Sequence, residues 1–516
     1  MIGLLAAVTR PSASGPTSIA MPHIRYLGII PVIVLLGGAV LMLGACSVVR
    51  HPVRARVGTV GMLVIGATSL GLSIWQWTDV QSHGAYTTVD KAVVVDGFSA
   101  FVAVLLSCAV VLTALVGDGY LRREGIDGAE YHVLALVSAS GAMLMGQAND
   151  LIVVFLGLEI LSIALYVLAA FNRRRAASAE GALKYFLLGS FAAAIMLYGF
   201  ALLYGATGHT DLVGIGAALS HGAVKSPLVV LALAMVLAGL VFKVSGVPFH
   251  MWTPDAYEGA PTPATTYMAV AVKSGGFAMM MRVLLTAFGD PKSSSWAAGW
   301  PPVLAVVAVL TMTVANLIAG RQDSVKRMLA YSSIAHAGYL LIGVVASMRA
   351  APEAQASVLF YLVTYTVSTA GAFGALVLCG SRGAEAVSYE DLSGIGRRHP
   401  AAALAFALFL MSLAGIPPTA GFFGKWFIFR AAMDGGFYWL ALIAFINSVI
   451  GVYYYLRVLV YMYMREPAAG APVATPMRSA YVNTALLVSA ALVLLLGLMP
   501  SRSLGIAIAA ATGFGG

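Results

Sequence analysis

The sequence predicts an all-α polytopic membrane protein with about fourteen transmembrane helices, and three observations support this fold class. Only 10% of the 516 residues are charged, whereas 60% are hydrophobic. The mean hydropathy is +0.90. A soluble protein carries about 25% charged residues because its surface must be wetted. The apolar runs are about 20 residues long, which is the length of a helix that crosses the hydrocarbon core of a bilayer.

The apolar runs divide the chain into fourteen candidate spans joined by short loops. The longest loop, about 381–399, has under 20 residues. A domain typically needs at least about 50 residues, so no stretch is expected to form a soluble domain. The spans are 26–48, 57–77, 97–116, 131–149, 150–170, 184–206, 227–249, 262–288, 300–320, 326–347, 355–380, 401–430, 436–463 and 478–499.

An extension rich in Ala, Ser, Pro and Gly, residues 1–25, precedes the first span. Its first apolar stretch, Ile2–Val8, is too short for a convincing cleaved signal peptide. Met21 is an alternative to Met1 as the first residue of the chain.

Positive charge alternates from loop to loop. Alternate loops are rich in arginine. The loops between them carry only scattered charges, such as Lys91, Lys225, Lys292 and Arg349. By the positive-inside rule the arginine-rich loops are cytoplasmic, and an even number of spans then puts both termini outside the cytoplasm. The basic residues of the arginine-rich set are Arg50, Arg54, Arg56, Arg122, Arg123, Arg173, Arg174, Arg175, Arg321, Lys326, Arg327, Arg382, Arg397, Arg398, Arg465 and Arg478.

Composition also excludes several classes of protein. The net charge of +9 does not indicate nucleic-acid binding, because the basic residues lie in short loops between apolar runs. Cys46, Cys108 and Cys379 lie far apart within apolar runs, so we predict neither a metal site nor a disulfide framework. The sequence has no glycine-rich phosphate loop and no Cys/His cluster for haem or an iron–sulfur centre. We therefore expect no cofactor in this chain, and any redox chemistry in other chains.

Four ionisable residues lie inside apolar spans: Glu159, Lys243, Lys273 and Lys425. A charge at that depth costs on the order of a few kcal/mol, and such residues commonly mark proton or ion pathways. Two structural roles are the alternatives, since a lysine near a helix end can extend to the headgroups and an ion pair can simply hold helices together. Lys273 has about ten apolar or small residues on each side, which makes the first alternative unfavourable.

Three further residues are weaker candidates for a relay. Lys184 begins its span, so it could equally extend to the headgroups. His250 and His336 lie near or inside spans, where a lone histidine is usually a hydrogen-bonded packing residue. An imidazole nevertheless titrates near neutral pH and can pass protons on.

Two spans are interrupted in a similar way. Gly246 and Pro248 follow Lys243 in the seventh span, and Pro417 and Pro418 precede Lys425 in the twelfth. Proline removes a backbone donor, and breaks at membrane depth are tolerated only where protein or a wet cavity satisfies the freed groups. Paired interrupted helices in corresponding halves point to the transport route of an inverted-repeat transporter.

The interrupted spans are five apart, which predicts two repeats of five spans. Because five is odd, the second repeat is inverted relative to the first. The predicted organisation is an extension (1–25), helices 1–3 (26–130), a first repeat (131–288), a second repeat (300–463), and helix 14 with a C-terminal tail (478–516).

The chain resembles the antiporter-like membrane subunits of respiratory complex I. The resemblance is carried by KVSGVPFHMWTPDAYEGAPTPAT (243–265), LAYSSIAHAGYLL (329–341) and SLAGIPPTAGFFGKWFIF (412–429). The run EGALKYFLLGSF (180–191) favours subunit N, the counterpart of mitochondrial NADH dehydrogenase subunit 2, over the larger subunits L and M. The resemblance extends over nearly the whole chain from about residue 30, and implies 14 helices, two inverted five-helix repeats and broken helices 7 and 12.

The resemblance also implies residue roles in proton transport. Glu159 matches the glutamate of helix 5, Lys243 the lysine of broken helix 7, Lys273 the central lysine of helix 8, and Lys425 the charged residue of broken helix 12. Lys184 falls on a lysine that N subunits carry in helix 6. We expect Glu159 and Lys243 to form a pair that an adjacent subunit can separate, with protons passing to Lys273 and then outward through Lys425.

The function implied is proton translocation in the membrane arm of an NADH:quinone oxidoreductase of a bacterial cell membrane, with antiporter-like subunits as neighbours. NADH, FMN, iron–sulfur clusters and quinone are then expected in other subunits. Three alternatives remain: a cation/proton antiporter, the membrane arm of a hydrogenase-type complex, and a scaffold whose ion pairs are static.

Overall fold

The fold is known from a computed structural model, which describes residues 24–49, 51–221, 227–380, 387–467 and 476–514. Met1, Met21, Arg50, Lys225 and Arg382 lie outside the described residues, as does all but the end of the extension 1–25.

The described residues form an almost entirely helical bundle, with one small antiparallel hairpin in which β1 (Tyr86–Thr88) pairs with β2 (Val93–Val95). The helices are α1 (Ile30–Val48), α2 (His51–His83), α3 (Gly97–Glu124), α4 (Ala129–Gln147), α5 (Leu151–Ala169), α6 (Ala176–Thr207), α7 (Leu212–Ser220), α8 (Pro227–Lys243), α9 (Trp252–Gly259), α10 (Thr262–Ala287), α11 (Trp300–Ala319), α12 (Val325–Ala346), α13 (Glu353–Cys379), α14 (Ile395–Arg398), α15 (Pro400–Ala414), α16 (Ala420–Asp434), α17 (Tyr438–Met464), α18 (Ala480–Leu498) and α19 (Pro500–Thr512).

The helical membrane fold predicted from composition is confirmed. In the described part of the chain, 11 helices are long and apolar enough to cross a membrane. Of the other three predicted spans, 131–149 corresponds to the 19-residue helix α4. Span 227–249 contains the shorter helix α8 and the break that follows it, and span 401–430 is divided between α15 and α16. The count of fourteen and the two inverted repeats remain predictions.

Both interruptions fall beside a buried lysine. Helix α8 ends at Lys243 and α9 begins at Trp252, so Gly246 and Pro248 lie in the gap. The freed backbone groups find partners there, since Gly246 N–H donates to the Val241 carbonyl (2.8 Å) and Val247 N–H donates to Thr311 Oγ1 (2.9 Å). This is the condition under which irregular backbone is tolerated at membrane depth.

The second gap separates α15 from α16 and contains Pro417 and Pro418. It opens with Gly415, whose φ of +84° lies in the left-handed region that favours glycine. The Gly415 Cα also lies against the Lys425 side chain, because a Cβ added there would stand 3.0 Å from Lys425 Cδ. The helix break and the lysine are therefore packed together.

Helices α10, α12 and α13 form the centre of the bundle, and nearly all of their residues are buried. A helix buried on every side lies inside a large protein rather than at its lipid-facing surface. Helix α10 also contains π-helical turns at Met268–Val272 and Val283–Ala287. Such turns occur often at functional sites, and the first directly precedes Lys273.

Two features at the ends of elements go beyond the sequence prediction, which also placed Lys326 at the start of span 326–347. Lys326, assigned from the sequence to an arginine-rich loop, is the second residue of α12 and is fully buried, with its Nζ donating to the Ala260 carbonyl (2.7 Å). The predicted C-terminal tail forms the helix α19, which packs on α3 so closely that a Cβ on Gly97 would lie 3.2 Å from the Ala510 carbonyl oxygen. Apolar periodicity shows neither feature, because both depend on contacts with distant segments.

Candidate functional site

Lys243 is the last residue of α8, at the edge of the first gap. Its side chain is 5% exposed. Its Nζ donates to Ser162 Oγ of α5 at 2.8 Å. A lysine so enclosed does not reach the headgroups, so this side chain does not extend to the membrane surface.

Glu159 lies one helical turn before Ser162 on α5. It is half-buried and shares the outward face of α5 with the exposed residues Leu156 and Ile163. Its carboxylate forms no ion pair with Lys243 within the described residues, since Lys243 donates to Ser162 instead. The outward position of Glu159 leaves it accessible to a neighbouring chain.

Lys273 lies in the centre of the bundle, 3% exposed. Its Nζ donates to the carbonyl of Ser333 and to Ser333 Oγ, the latter at 2.6 Å. The Tyr365 hydroxyl donates to the same Ser333 Oγ at 2.8 Å, and the Tyr365 ring lies 5.6 Å from the lysine nitrogen. Lys273 is thus held by neutral groups on α12 and α13.

His336 lies one turn after Ser333 on α12 and is bound through both ring nitrogens. Nδ1 lies 2.6 Å from the Tyr361 hydroxyl and Nε2 lies 3.1 Å from the Tyr455 hydroxyl. Its ring also lies 5.1 Å from that of Tyr365. The imidazole therefore adjoins the residues that hold Lys273, and hydroxyl groups extend the hydrogen-bonded chain on both sides of it.

Lys425 lies beyond His336, beside the second gap. Its Nζ donates to the Ala414 carbonyl and to Ser448 Oγ, each at 2.9 Å. It also lies 5.3 Å from the ring of Tyr339, which is 5.9 Å from the ring of His336. A cavity of about 240 Å³ reaches Lys425 between α15, α16 and α17.

The three lysines form an ordered series through the bundle. Gly276, one turn after Lys273 on α10, lies against Lys243, because a Cβ added there would stand 3.4 Å from Lys243 Cγ. Within the described residues none of the three lysines forms an ion pair with a carboxylate. Every hydrogen-bond acceptor at these lysines is a hydroxyl or carbonyl oxygen, so the arrangement is not one of static ion pairs.

The weaker candidates lie elsewhere. Lys184 is 44% exposed and pairs with Glu180 and Asp255, each at 2.7 Å, at the arginine-rich end of the bundle. His250 is half-buried in the first gap, and its Nδ1 has no hydrogen-bond partner among the described residues. Neither touches the hydrogen-bonded series around His336, so their suggested relay role stays a prediction.

Sequence reasoning missed one fully buried ion pair, between Arg282 of α10 and Asp96, which caps α3. The guanidinium makes two bonds to the carboxylate, at 2.7 and 2.9 Å, and the side chains are 1% and 0% exposed. Arg282 is an ionisable residue inside an apolar span, so the criterion that selected Lys273 would have found it. Arginine does not release its proton in proteins, which makes this pair structural rather than part of a relay.

Comparisons with known proteins identify the family of the chain. The family described as NADH:quinone oxidoreductase/Mrp antiporter transmembrane proteins matches residues 148–451. NADH-quinone oxidoreductase subunit N 1 of Sorangium cellulosum is 58% identical over 500 residues, which cover 94% of this chain and 98% of that protein. NADH-quinone oxidoreductase subunit N of Trichlorobacter lovleyi is 42% identical over 452 residues, covering 87% and 88%.

Solved structures show the same fold. A chain of respiratory complex I from Thermus thermophilus aligns with a TM-score of 0.76 and 33% identity, covering 93% of this chain and 99% of that one. A chain of an Mrp complex from Dietzia sp. aligns with a TM-score of 0.80 at 22% identity, covering 95% and 97%, which shows the fold alone. The chain belongs to the NADH:quinone oxidoreductase/Mrp antiporter transmembrane family, and within it to the N subunits of NADH-quinone oxidoreductase.

Proposed function

We propose that this chain translocates protons in the membrane arm of a bacterial NADH:quinone oxidoreductase, driven by electron transfer in other subunits. The observation that carries the proposal is the series Lys243, Lys273, His336 and Lys425, buried in apolar helices and held by neutral groups. A scaffold would need these charges paired. A proton path needs groups that can gain and lose a proton in place.

Each lysine site can serve both protonation states. An ammonium donates to the surrounding hydroxyl and carbonyl oxygens, whereas a neutral amine can also accept a hydrogen bond from a hydroxyl. Ser162 supplies that hydroxyl at Lys243, Ser333 at Lys273 and Ser448 at Lys425. Rotation of a neighbouring hydroxyl can therefore accommodate either protonation state of each lysine.

Glu159 would act as the modulated charge. It lies one turn from Ser162, so its carboxylate favours the charged form of Lys243 from a short distance without contacting it. Drawing Glu159 outward, toward a cation in an adjoining subunit, would remove that support. Lys243 would then release its proton toward Lys273, and Lys425 would deliver a proton to the outer side.

The remaining assignments follow from this function. The cofactors NADH, FMN, iron–sulfur clusters and quinone would belong to other subunits, and antiporter-like subunits and lipid would surround this chain. The membrane would be the bacterial cell membrane, with both termini outside the cytoplasm. The segments 131–288 and 300–463 would be the two inverted repeats, each contributing one interrupted helix.

The test is proton pumping by the assembled complex in sealed vesicles. We expect Lys273→Ala and Glu159→Ala to lower proton translocation strongly. Lys243→Arg should fail as well, since arginine keeps its charge but cannot release the proton. Lys292→Ala, which alters an exposed loop lysine, is the matched control and should pump normally.

The outcomes separate the alternatives. Undiminished pumping in both Lys273→Ala and Glu159→Ala would exclude the proposed path, and full activity of Lys243→Arg would show that positive charge alone is needed. Loss of the assembled complex in Lys273→Ala and in a charge-preserving Lys273→Arg alike would favour a scaffold. Sodium or potassium movement that stops together with proton movement would favour a cation/proton antiporter.

A further inference from the structure

A network of charged residues at the arginine-rich end of the bundle holds α9, the short helix after the first gap. Asp255 of α9 is shared, because its Oδ2 accepts from Lys184 of α6 at 2.7 Å and its Oδ1 accepts from Arg327 of α12 at 2.8 Å. Arg327 also bonds Glu258 at 2.8 Å, and Lys184 also pairs with Glu180. One carboxylate thus ties α9 to helices of both predicted repeats.

Two further contacts fasten the same short helix. The ring of Trp252 stacks on that of Tyr185, with centroids 4.1 Å apart and an interplanar angle of 9°. Because Tyr185 follows Lys184 directly, one turn of α6 provides both the stacking ring and the cation. At the far end of α9, Lys326 donates to the Ala260 carbonyl at 2.7 Å.

The fastened helix lies directly against the Lys243 gap. The Trp252 ring is 5.6 Å from that of Phe242, the residue before Lys243. Thr253 donates to Ser245 Oγ inside the gap at 2.8 Å. Movement of α9 would therefore change the surroundings of Lys243.

The stacked rings also carry unused polar groups. The Tyr185 hydroxyl and the Trp252 indole N–H are buried and have no hydrogen-bond partner among the described residues. A buried polar group without a partner costs about 1–3 kcal/mol, so such a group commonly binds water or has a functional role. They lie between the charged network and Lys243.

We propose that Lys184, Asp255 and Arg327 form a latch that holds α9 over the cytoplasmic approach to Lys243, and that release of the latch admits protons past Trp252 and Tyr185. The proposal rests on the proposed function and deepens it by naming the element that controls proton uptake. Lys184 is then a positioning residue that acts through Asp255.

The experiment is hydrogen–deuterium exchange of the assembled complex, read by mass spectrometry on peptides covering 252–259. In Asp255→Asn and in Lys184→Met we expect amide exchange in α9 to quicken about tenfold, because each change removes charge-assisted bonds that hold the helix closed. Lys184→Arg keeps a cation on α6 and should restore slow exchange. Glu466→Gln, which breaks the exposed pair with Arg397 at the same end of the bundle, is the control and should leave α9 unchanged.

Pumping is measured on the same variants. Faster exchange of α9 together with proton leak, or with an altered dependence of pumping on cytoplasmic pH, supports the latch. Unchanged exchange in both Asp255→Asn and Lys184→Met would overturn it. Faster exchange with unaltered pumping would show that these residues hold α9 but do not control proton uptake, which overturns the gating role. If the proposed proton path is wrong, Lys273→Ala will pump normally. That result does not change the amide exchange measured in α9 of the latch variants.

Discussion

The Nζ of Lys273 lies 2.6 Å from Ser333 Oγ, so the central buried lysine is bound to the helix that carries His336. The same oxygen accepts the Tyr365 hydroxyl at 2.8 Å. This single hydroxyl joins α10, α12 and α13 at the centre of the bundle. In the proposed path it is the side-chain contact nearest to the proton that Lys273 carries.

Replacing Ser333 by alanine should slow proton translocation about tenfold. A hydrogen bond to a charged group contributes about 1.5–3 kcal/mol, and about 1.4 kcal/mol corresponds to a factor of ten. The rate is measured as pH change in vesicles containing the assembled complex. Ser347→Ala should keep the normal rate, because among the described residues this buried hydroxyl, directly after α12, bonds only to the Gly343 carbonyl.

Replacing Tyr361 by phenylalanine should slow translocation by about fivefold. The change removes the hydroxyl 2.6 Å from His336 Nδ1, and a neutral hydrogen bond contributes about 1 kcal/mol. Tyr131→Phe is matched to it, since the Tyr131 hydroxyl is buried without a partner among the described residues. Equal rates in the two variants would show that His336 does not act through Tyr361.

Breaking the buried pair of Arg282 should destabilise the fold rather than the transport chemistry. Asp96→Asn keeps a side chain able to cap α3 but leaves the guanidinium without its charge partner, at a cost of about 3–5 kcal/mol. We expect a lower midpoint of heat unfolding in detergent. The control is Glu466→Gln in the exposed pair with Arg397, which should cost about 0–1 kcal/mol.

The latch should stay closed across physiological pH. Burial acts to raise the pKa of Asp255, but hydrogen bonds from Lys184 and Arg327 outweigh it and hold the pKa below its usual value of 3.8. Glu180 and Glu258 are the other charged groups in the network. A carboxyl with a depressed pKa stabilises at high pH, and that stabilisation is lost only as pH falls through the depressed value.

Exchange of peptide 252–259, corrected for the intrinsic rate, should therefore be constant from about pH 8 down to about pH 5. A rise within that range would assign the release of α9 to a different titrating group. Constant exchange would show that acidification over this range does not release the latch.

The membrane fold and the three buried lysines could be predicted because apolar composition and isolated ionisable residues are visible in the sequence alone, whereas Glu159 is only half-buried. Lys273 illustrates this, since its apolar flanks place it at the centre of a span and the structure buries it there. The interruptions beside Lys243 and Lys425 were readable for a similar reason, because proline and glycine act locally on the backbone.

The rest depended on tertiary contacts. Nothing local shows that Lys243 bonds Ser162, 81 positions earlier in the chain, instead of contacting Glu159. The sequence places Lys326 beside basic loop residues and does not show that it bonds the Ala260 carbonyl, 66 positions earlier. The partners of His336 come from α13 and α17, so its hydrogen bonds follow only from the packing of the bundle.

The ring of Phe514 lies 4.7 Å from the Arg282 guanidinium, on which Phe98 also packs at 4.8 Å. The ion pair made by residues near the start and middle of the chain is thus covered by one of its last residues. During synthesis, α3 and α10 are made long before Phe514, so this face of the Arg282 guanidinium stays uncovered until residue 514 has been added. Covering of the ion pair is therefore a late step in the folding of the described residues, and a chain that stops before Phe514 would form the helical bundle with one face of the guanidinium uncovered.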